Sequence, residues 1–219
     1  MAQAQLASVR ETLLLRLNTQ LTTIGFRRNG QSFSRAFHGG KGLFHVAWIP
    51  HQSDFDVTAD VAVRHDAIED LVNKFDSTIR PAWAVLSKKE QTMTATVGAE
   101  LGNLSIGMQR RWTVTSEADV ATACPSILEA FKIIGVPYLQ RFSSLEEVLS
   151  VLADDDKASW LHCPFHDVRA KKAIAAAFVL GRRELFGKLV ESKAQFLKER
   201  KDPGLSGFLS FAEHLARIP

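Results

Sequence analysis

The chain has 219 residues, of which 46% are hydrophobic and 23% are charged, as in an ordinary soluble globular protein. This composition excludes a disordered chain, a collagen-like repeat and a small disulfide scaffold. Lys and Arg number 27 against 24 Asp and Glu. The resulting net charge of +3 is too small to indicate nucleic acid or an anionic membrane as the partner.

The two cysteines, Cys124 and Cys163, lie far apart in a chain that is long enough to form its own core. Such sparse use of cysteine is typical of a reducing compartment. No apolar run reaches the roughly 18 residues of a membrane helix. Arg10, Glu11 and Arg16 interrupt the leucine-rich opening segment, which is not typical of a signal peptide. The sequence therefore predicts a soluble, cytoplasmic protein without a membrane partner.

Hydrophobic periodicity changes from helical to strand-like near Gly25. Residues 33–37, 44–48 and 55–63 alternate between apolar and polar, which predicts three half-buried strands. Short polar links between them indicate an antiparallel meander, whose apolar face needs a cover. We expect an amphipathic helix before Gly25 to supply it, on the spacing of Leu6, Val9, Leu13, Leu17, Leu21 and Ile24.

The middle of the chain mixes helical and weaker strand signals. A helix is predicted over residues 66–79, and weaker strand patterns follow at 92–97, 103–108 and 110–115. Ser116 and Asp119 have the spacing of a capping box, so we expect a helix to begin near residue 117. A proline at position 125 either bends that helix or opens a second one.

From about residue 138 the strand period does not return. Ser144 and Glu147 form a second candidate capping box, and Pro164 is expected at the first position of a longer helix that ends at Gly181. Two further helical patterns follow. We therefore predict an α+β fold in which an N-terminal helix and an antiparallel β-sheet covered by helices occupy residues 1–137. An all-helical C-terminal segment, residues 138–219, is expected to pack on the first part rather than fold independently.

The opening of the chain resembles a known family. Residues 24–30 read Ile-Gly-Phe-Arg-Arg-Asn-Gly, Phe33-Ser34-Arg35 follows, and Val-Pro-Tyr-Leu at 136–139 leads into Ser144-Leu145-Glu146-Glu147. A leading helix followed by Gly-Phe-basic-basic-x-Gly and Phe-x-Arg resembles a family of bacterial proteins catalogued only as a domain of unknown function. The resemblance covers about residues 5–150. It implies an α+β domain with helices against an antiparallel sheet, and it transfers no catalytic residue, because none is established for the family.

The densest cluster of reactive side chains is His162-Cys163-Pro164-Phe165-His166. His162, Cys163 and His166 are candidate metal ligands because imidazole and thiolate bind zinc, although zinc sites usually draw on two separated pairs. Cys163 beside His162 also suggests a nucleophile with a base, and both are candidate catalytic residues. The alternative is a loop-to-helix junction with a buried structural thiol.

A row of polar side chains follows the third predicted strand. Asp54, Asp56, Thr58 and Asp60 share one face, and His45 lies on the equivalent face of the neighbouring strand. Carboxylates two residues apart on a strand are about 6.5–7 Å apart, which suits an acid–base pair or a divalent cation. We therefore add His45 and Asp56 to the candidate catalytic residues. The alternative is an ordinary solvated strand face.

Basic residues cluster at several places. Residues 169–202 contain ten Lys or Arg against four Asp or Glu, a local net charge of +6. Basic helices can bind phosphates, but these charges are spread around helices and no aromatic residues are interleaved with them, which favours a solvated surface. Candidate anion or partner contacts elsewhere are Arg27, Arg28, Arg35, Arg110 and Arg111.

The sequence contains none of the common nucleotide, dinucleotide, zinc-protease or serine-hydrolase motifs, and we predict no cofactor. Our first hypothesis is a bacterial protein-binding module, of which an immunity-type protein that neutralises a toxin is one version. The second is an enzyme of unknown reaction with a site between the sheet and the C-terminal helices. The third is nucleic-acid binding through residues 169–202. The protein partner is unknown, and a homo-oligomer is left open.

Overall fold

The computed structural model describes residues 2–79, 81 and 84–218. The α-helices, β-strands and one π-helical turn within these residues follow one another in this order: α1 (Ala2–Thr23), β1 (Arg27–Asn29), β2 (Ser32–Phe37), β3 (Gly40–Pro50), β4 (Phe55–His65), α2 (Asp66–Ile79), α3 (Lys88–Gln91), β5 (Val97–Glu100), α4 (Leu101–Ser105), β6 (Trp112–Val114), α5 (Glu117–Ala130), the π turn (Phe131–Gly135), α6 (Val136–Phe142), α7 (Leu145–Ala153), α8 (Lys157–His162), α9 (His166–Val179), α10 (Arg183–Glu199) and α11 (Leu205–Ala216).

The chain divides into two compact units. Unit 1 contains residues 1–62 and 99–141, and unit 2 contains residues 63–98 and 142–219. The sheet strands and α1 thus lie largely in unit 1, whereas α2 belongs with the C-terminal helices in unit 2. The predicted boundary after residue 137, with the C-terminal segment packed on the sheet domain rather than folding independently, stays a prediction.

The strands form one six-stranded antiparallel sheet. Its order is β1-β2-β3-β4-β5, and β6 pairs with β4. The register places Phe33 of β2 opposite Phe44 of β3, and Trp112 of β6 opposite Val57 of β4. The alternating segments around residues 33–63 are therefore β2, β3 and β4, and the predicted α+β class is confirmed.

Aromatic rings fill the core of unit 1. The ring centroids of Phe33 and Phe44 are 6.0 Å apart, and Phe44 lies 4.5 Å from Phe131 of the π turn. Phe26 meets the Phe131 ring edge-on at 5.4 Å. α1 packs against α5, and the predicted apolar stripe of α1 is buried at Val9, Leu13, Leu17 and Leu21.

The long helix of unit 1 begins where the capping box predicts. Ser116 Oγ accepts a hydrogen bond from the Asp119 amide, and the Asp119 carboxylate accepts one from the Ser116 amide at 2.9 Å. Pro125 neither ends this helix nor opens a new one, because α5 continues through it. The helical turn widens to a π turn at Phe131–Gly135.

The π turn ends at a glycine, Gly135, and a side chain at this position would not fit. A Cβ at Gly135 would lie 2.6 Å from a ring carbon of Phe131 and 2.9 Å from Val61. The whole helix from Glu117 to Phe142 is long and apolar enough to cross a membrane by length and composition. Some of its side chains, such as Ile127 and Phe131, are buried in the core of unit 1.

α9 is the central helix of unit 2. It packs against α2, α7, α10 and α11, and every residue from Arg169 to Ala177 is buried. The small alanine side chains of this stretch allow neighbouring helices to approach closely. Gly181, with φ of 67°, ends the helix where the sequence predicts. The start is displaced from the predicted Pro164, because α9 begins at His166 with Phe165 as its N-cap residue.

Three local predictions are wrong. Residues 103–108 were expected to form a strand, but Leu101–Ser105 is a helix because the Glu100 carboxylate caps it by accepting from the Asn103 amide at 2.9 Å. The strand expected at 92–97 begins only at Val97. The capping box at Ser144 does not form, since the Ser144 side chain makes no cap hydrogen bond, although α7 does begin at Leu145.

Candidate functional site

Two large aromatic side chains lie exposed where α8 joins α9. Trp160 is 53% exposed and Phe165 is 69% exposed. They lie on either side of Cys163, the residue that ends α8. Exposed tryptophan and phenylalanine are uncommon on surfaces that only meet water, and they are enriched in binding interfaces. We define Trp160, Pro164 and Phe165 as the aromatic junction.

The aromatic junction rests on hydrogen bonds from the N-terminal side. The Asp156 carboxylate accepts from both the amide and the hydroxyl of Ser159 at 2.8 Å, which caps α8. The Trp160 amide donates to the Asp156 carbonyl at 3.1 Å, and the Cys163 amide donates to the Ser159 carbonyl at 3.0 Å. The backbone that carries Trp160 is therefore fixed over its whole length.

A buried ionic cluster fixes the other side of the aromatic junction. Arg169 has no exposed surface, and its guanidinium donates to the Cys163 carbonyl at 2.7 Å and to Asp155 Oδ1 at 2.9 Å. Lys193, also fully buried, lies 2.9 Å from Asp155 Oδ2 and donates to the Asp154 carbonyl at 3.0 Å. One carboxylate thus serves two buried cations. We define Asp155, Arg169 and Lys193 as the Asp155 cluster.

Electrostatics within unit 2 keep His166 neutral. Arg169 Nη2 lies 3.0 Å from His166 Nδ1, and because arginine can only donate, Nδ1 is the acceptor. Partial burial lowers the pKa of His166, and the positive charges of Arg169 and Arg200 lower it further. The His166 ring also meets Phe196 edge-on at 5.1 Å. His166 therefore has a structural position beside Phe165.

The structure gives separate surroundings to the three predicted metal ligands. The His162 ring packs on Phe142 at 5.0 Å, and His166 is engaged with Arg169. Cys163 is buried, and burial raises the pKa of its thiol, which opposes the thiolate that a metal or a nucleophile requires. Among residues 2–79, 81 and 84–218, no three His, Cys, Asp or Glu side chains are grouped as metal ligands.

The candidate pair His45 and Asp56 is not brought together. The His45 Nδ1 atom lies 2.9 Å from the Ser32 hydroxyl, and the charge that acts on His45 is that of Asp60. Asp56 instead accepts from the Thr113 hydroxyl at 2.6 Å and lies 3.2 Å from His51 Nε2. These contacts lower the pKa of Asp56, with the Thr113 hydrogen bond as the main cause.

The predicted polar strand face is only partly solvated. Asp56 and Thr58 are buried, and Asp60 is half-buried, so this is not the open water-facing row that alternation alone suggests. Burial raises the pKa of Asp60, and the neighbouring Glu100 charge adds to that effect. Burial lowers the pKa of His45. Ser32, His45 and Asp60 thus form a polar row across β2, β3 and β4.

This polar row has a measurable titration. We expect His45 to titrate below the value of about 6.5 for an unperturbed histidine, because burial disfavours the charged ring. Asp60→Asn should lower the pKa of His45 further, since the Asp60 carboxylate raises it. Because the folded state binds fewer protons, His45 should reduce the free energy of unfolding as pH falls below about 6.5. NMR titration of the imidazole resonances measures the pKa directly.

The matched control for this titration is Asp54→Asn, which removes a carboxylate from the same strand region. Asp54 is not among the charges that act on His45, so the His45 titration should stay unchanged. An upward shift of the His45 pKa in Asp60→Asn would contradict the assignment of the Asp60 charge.

The five candidate anion-binding arginines do not converge on one site. Arg28 makes a bidentate pair with Glu11, with both distances 2.7 Å. Arg35 lies over the Phe26 ring, and Arg110 lies over Trp112. Three of the set therefore have structural contacts. Arg111 lies 3.5 Å from Asp56, and Arg27 is exposed on β1.

Much of the basic character of residues 169–202 is internal. Four of its ten cations are buried, namely Arg169, Lys171, Lys172 and Lys193. Ammonium and guanidinium groups inside unit 2 cannot contact phosphates outside it. The remaining six cations and four acidic residues leave a net charge of +2, too small for an electrostatic nucleic-acid surface. No observation of the structure therefore favours the nucleic-acid hypothesis.

Comparison with protein-family models gives no match, and neither do comparisons with curated proteins and with solved structures. The resemblance of residues 5–150 to a bacterial family of unknown function therefore stays a prediction.

Proposed function

We propose that this chain is a cytoplasmic protein-binding module, that its docking surface is the aromatic junction, and that its partner is an acidic protein. The observation that carries the proposal is the exposure of two aromatic rings, Trp160 at 53% and Phe165 at 69%, on a backbone held by buried contacts. Interface energy is concentrated in a few residues, and tryptophan is the most enriched among them.

Rigidity supports a role in binding. A segment that orders only on binding loses conformational entropy at that moment, and a segment already ordered does not. The capped α8 and the Asp155 cluster hold both sides of the aromatic junction through hydrogen bonds and ion pairs, and the residues of the Asp155 cluster are buried or half-buried. The two rings are therefore presented in a fixed arrangement before any partner arrives.

Charge beside the junction indicates the kind of partner. Arg200 lies over the Phe196 ring at 4.5 Å, and Phe196 in turn contacts His166, next to Phe165. Lys198 and Lys201 are exposed at and just beyond the C-terminal end of α10, with one exposed acid, Glu199, among them. Positive groups that flank an aromatic anchor favour a negatively charged partner surface and accelerate its association.

Site-specific photo-crosslinking tests this proposal. A photo-reactive phenylalanine analogue placed at position 165 should form an adduct with one acidic protein in a lysate of the source cells. The same analogue at Leu209, an exposed position on α11 that is 41% exposed, should form none. With the identified partner, Trp160→Ser combined with Phe165→Ser should weaken binding by about 30-fold, the equivalent of a hot spot of about 2 kcal/mol. Raising the salt concentration should also weaken it.

Three results would contradict the proposal. They are equal adducts from positions 165 and 209, an adduct with nucleic acid, and an adduct with a second copy of this chain. Leu209→Ser provides the control for the binding measurement, because it removes an exposed apolar side chain of the same unit outside the junction.

A further inference from the structure

Unit 2 contains a pocket of about 240 Å³ that is separate from the aromatic junction. It lies between α2, α9 and the segment that leads to β5. Pockets that hold drug-sized ligands are about 300–1,000 Å³, so this one suits a smaller molecule. The charged side chains that line it are Glu69, Asp76, Lys171 and Lys172, and the apolar ones include Val72, Leu86 and Val168.

The positive and negative charges of the lining are equal in number, and their side chains are buried or half-buried. Lys171 Nζ lies 2.8 Å from Asp76 Oδ1, and Lys172 Nζ lies 3.2 Å from Glu69 Oε1. Two ammonium groups and two carboxylates sum to zero. A ligand with a net charge would leave an unbalanced charge beside these buried groups, whereas a zwitterion or a neutral molecule would not.

One carboxylate oxygen in this lining is ion-paired but accepts no hydrogen bond. Glu69 is 1% exposed, yet its Oε1 atom accepts no hydrogen bond, and the nearby Lys172 ammonium donates instead to the Ala95 carbonyl. Buried polar atoms are satisfied in the great majority of cases, because an unmade hydrogen bond costs about 1–3 kcal/mol. An N–H donor in the pocket would satisfy Glu69 Oε1.

Each ammonium group has donor capacity left. A lysine ammonium carries three N–H bonds. The hydrogen bond of Lys171 goes to Asp76, and that of Lys172 goes to Ala95. A ligand carboxylate between the two lysines could therefore accept from both. The apolar walls at Val72 and Val168 would contact a hydrocarbon side chain.

We propose that this pocket binds a free α-amino acid with an apolar side chain. The ligand ammonium donates to Glu69 Oε1, the ligand carboxylate accepts from Lys171 and Lys172, and the side chain contacts Val72, Leu86 and Val168. The zwitterion preserves the zero net charge of the lining. This inference does not depend on the docking surface proposed above.

Calorimetric titration with l-leucine tests the proposal on the full chain. Binding of l-leucine is expected at millimolar or lower concentration. N-acetyl-l-leucine lacks the ammonium group and l-leucinamide lacks the carboxylate, so each should bind at least about tenfold more weakly, because each leaves a buried polar group unpaired. The proposal is overturned if either analogue binds as tightly as l-leucine. It is also overturned if l-leucine does not bind at about 10 mM, tenfold above the expected range.

Variants locate the site. Glu69→Gln should weaken l-leucine binding at least about tenfold, in line with a charged hydrogen bond lost. Because Glu69 is buried, its substitution can also affect folding. Leu86→Trp therefore provides a second variant. Leu86 lines the pocket, is 38% exposed, and can be enlarged to obstruct it with little effect on folding. The control is Glu184→Gln on the exposed face of α10. Unchanged l-leucine affinity in a folded Leu86→Trp protein, checked by circular dichroism, also overturns the proposal.

Discussion

Asp155→Asn is expected to lower the free energy of unfolding by about 3–5 kcal/mol, the cost of leaving buried charge without its partner. Asp155 is the carboxylate that pairs with both Arg169 and Lys193, and neither cation is exposed. Asparagine keeps the shape of the side chain but removes the charge. Urea denaturation followed by circular dichroism measures the change in the free energy of unfolding. The aromatic junction should also lose its fixed arrangement, because Arg169 of the Asp155 cluster holds the Cys163 carbonyl.

The control is Glu146→Gln, which removes a carboxylate from an exposed ion pair with Arg182 at 2.6 Å. Exposed pairs contribute about 0–1 kcal/mol, so this change should be small. Lys193 provides a second check, because burial lowers its pKa and Asp155 raises it. Without Asp155, Lys193 should lose its proton more readily, and the loss of stability should shrink as pH rises toward the ordinary lysine pKa of about 10.4. If Asp155→Asn lowers the free energy of unfolding no more than Glu146→Gln does, this account of the Asp155 cluster is refuted.

Phe131→Ala is expected to destabilise unit 1 by about 3–5 kcal/mol, the usual cost of truncating a buried aromatic ring. Phe131 is 1% exposed and contacts both Phe26 and Phe44. Its removal would leave a cavity beside Gly135, whose lack of a side chain makes room for the Phe131 ring. Thermal and urea unfolding, monitored by near-ultraviolet circular dichroism, would report the loss.

Ile133→Ala is a matched control two residues away in the same π turn. Ile133 is 64% exposed, so its truncation should change the free energy of unfolding by less than about 0.5 kcal/mol. Equal losses for the two variants would show that the π turn, rather than the Phe131 ring, determines the effect.

The strands of the first third were predictable because apolar and polar side chains alternate along them, even though both faces of β4 are largely buried. Alternation at residues 33–37, 44–48 and 55–63 locates β2, β3 and β4 without any knowledge of their partners. The stretch 92–108 failed for a local reason that periodicity does not report. The Glu100 side chain caps α4 and turns a predicted strand into a helix.

The pocket between α2 and α9 was less predictable because its contacts join distant parts of the chain. Lys171 pairs with Asp76, 95 positions away, and Lys172 pairs with Glu69. Sequence reasoning places such lysines in solvent, since buried lysine is rare unless it is paired. The alternation of the third strand placed Asp54, Asp56 and Asp60 in one row, but it did not show that Asp60 is the carboxylate whose charge acts on His45. One signal for the aromatic junction was available: Trp160 lies in a short segment between three aspartates and Pro164, outside any apolar periodicity.

The buried charges of α9 have a consequence for specificity. Its small alanine side chains offer little shape that would fix the position of the helix along its axis. Arg169, Lys171 and Lys172 do fix it, because each needs its own carboxylate or carbonyl on a neighbouring element. A shifted helix would leave buried cations unpaired, at a cost of several kcal/mol. These three side chains therefore select a single register for a helix whose apolar surface alone would permit several.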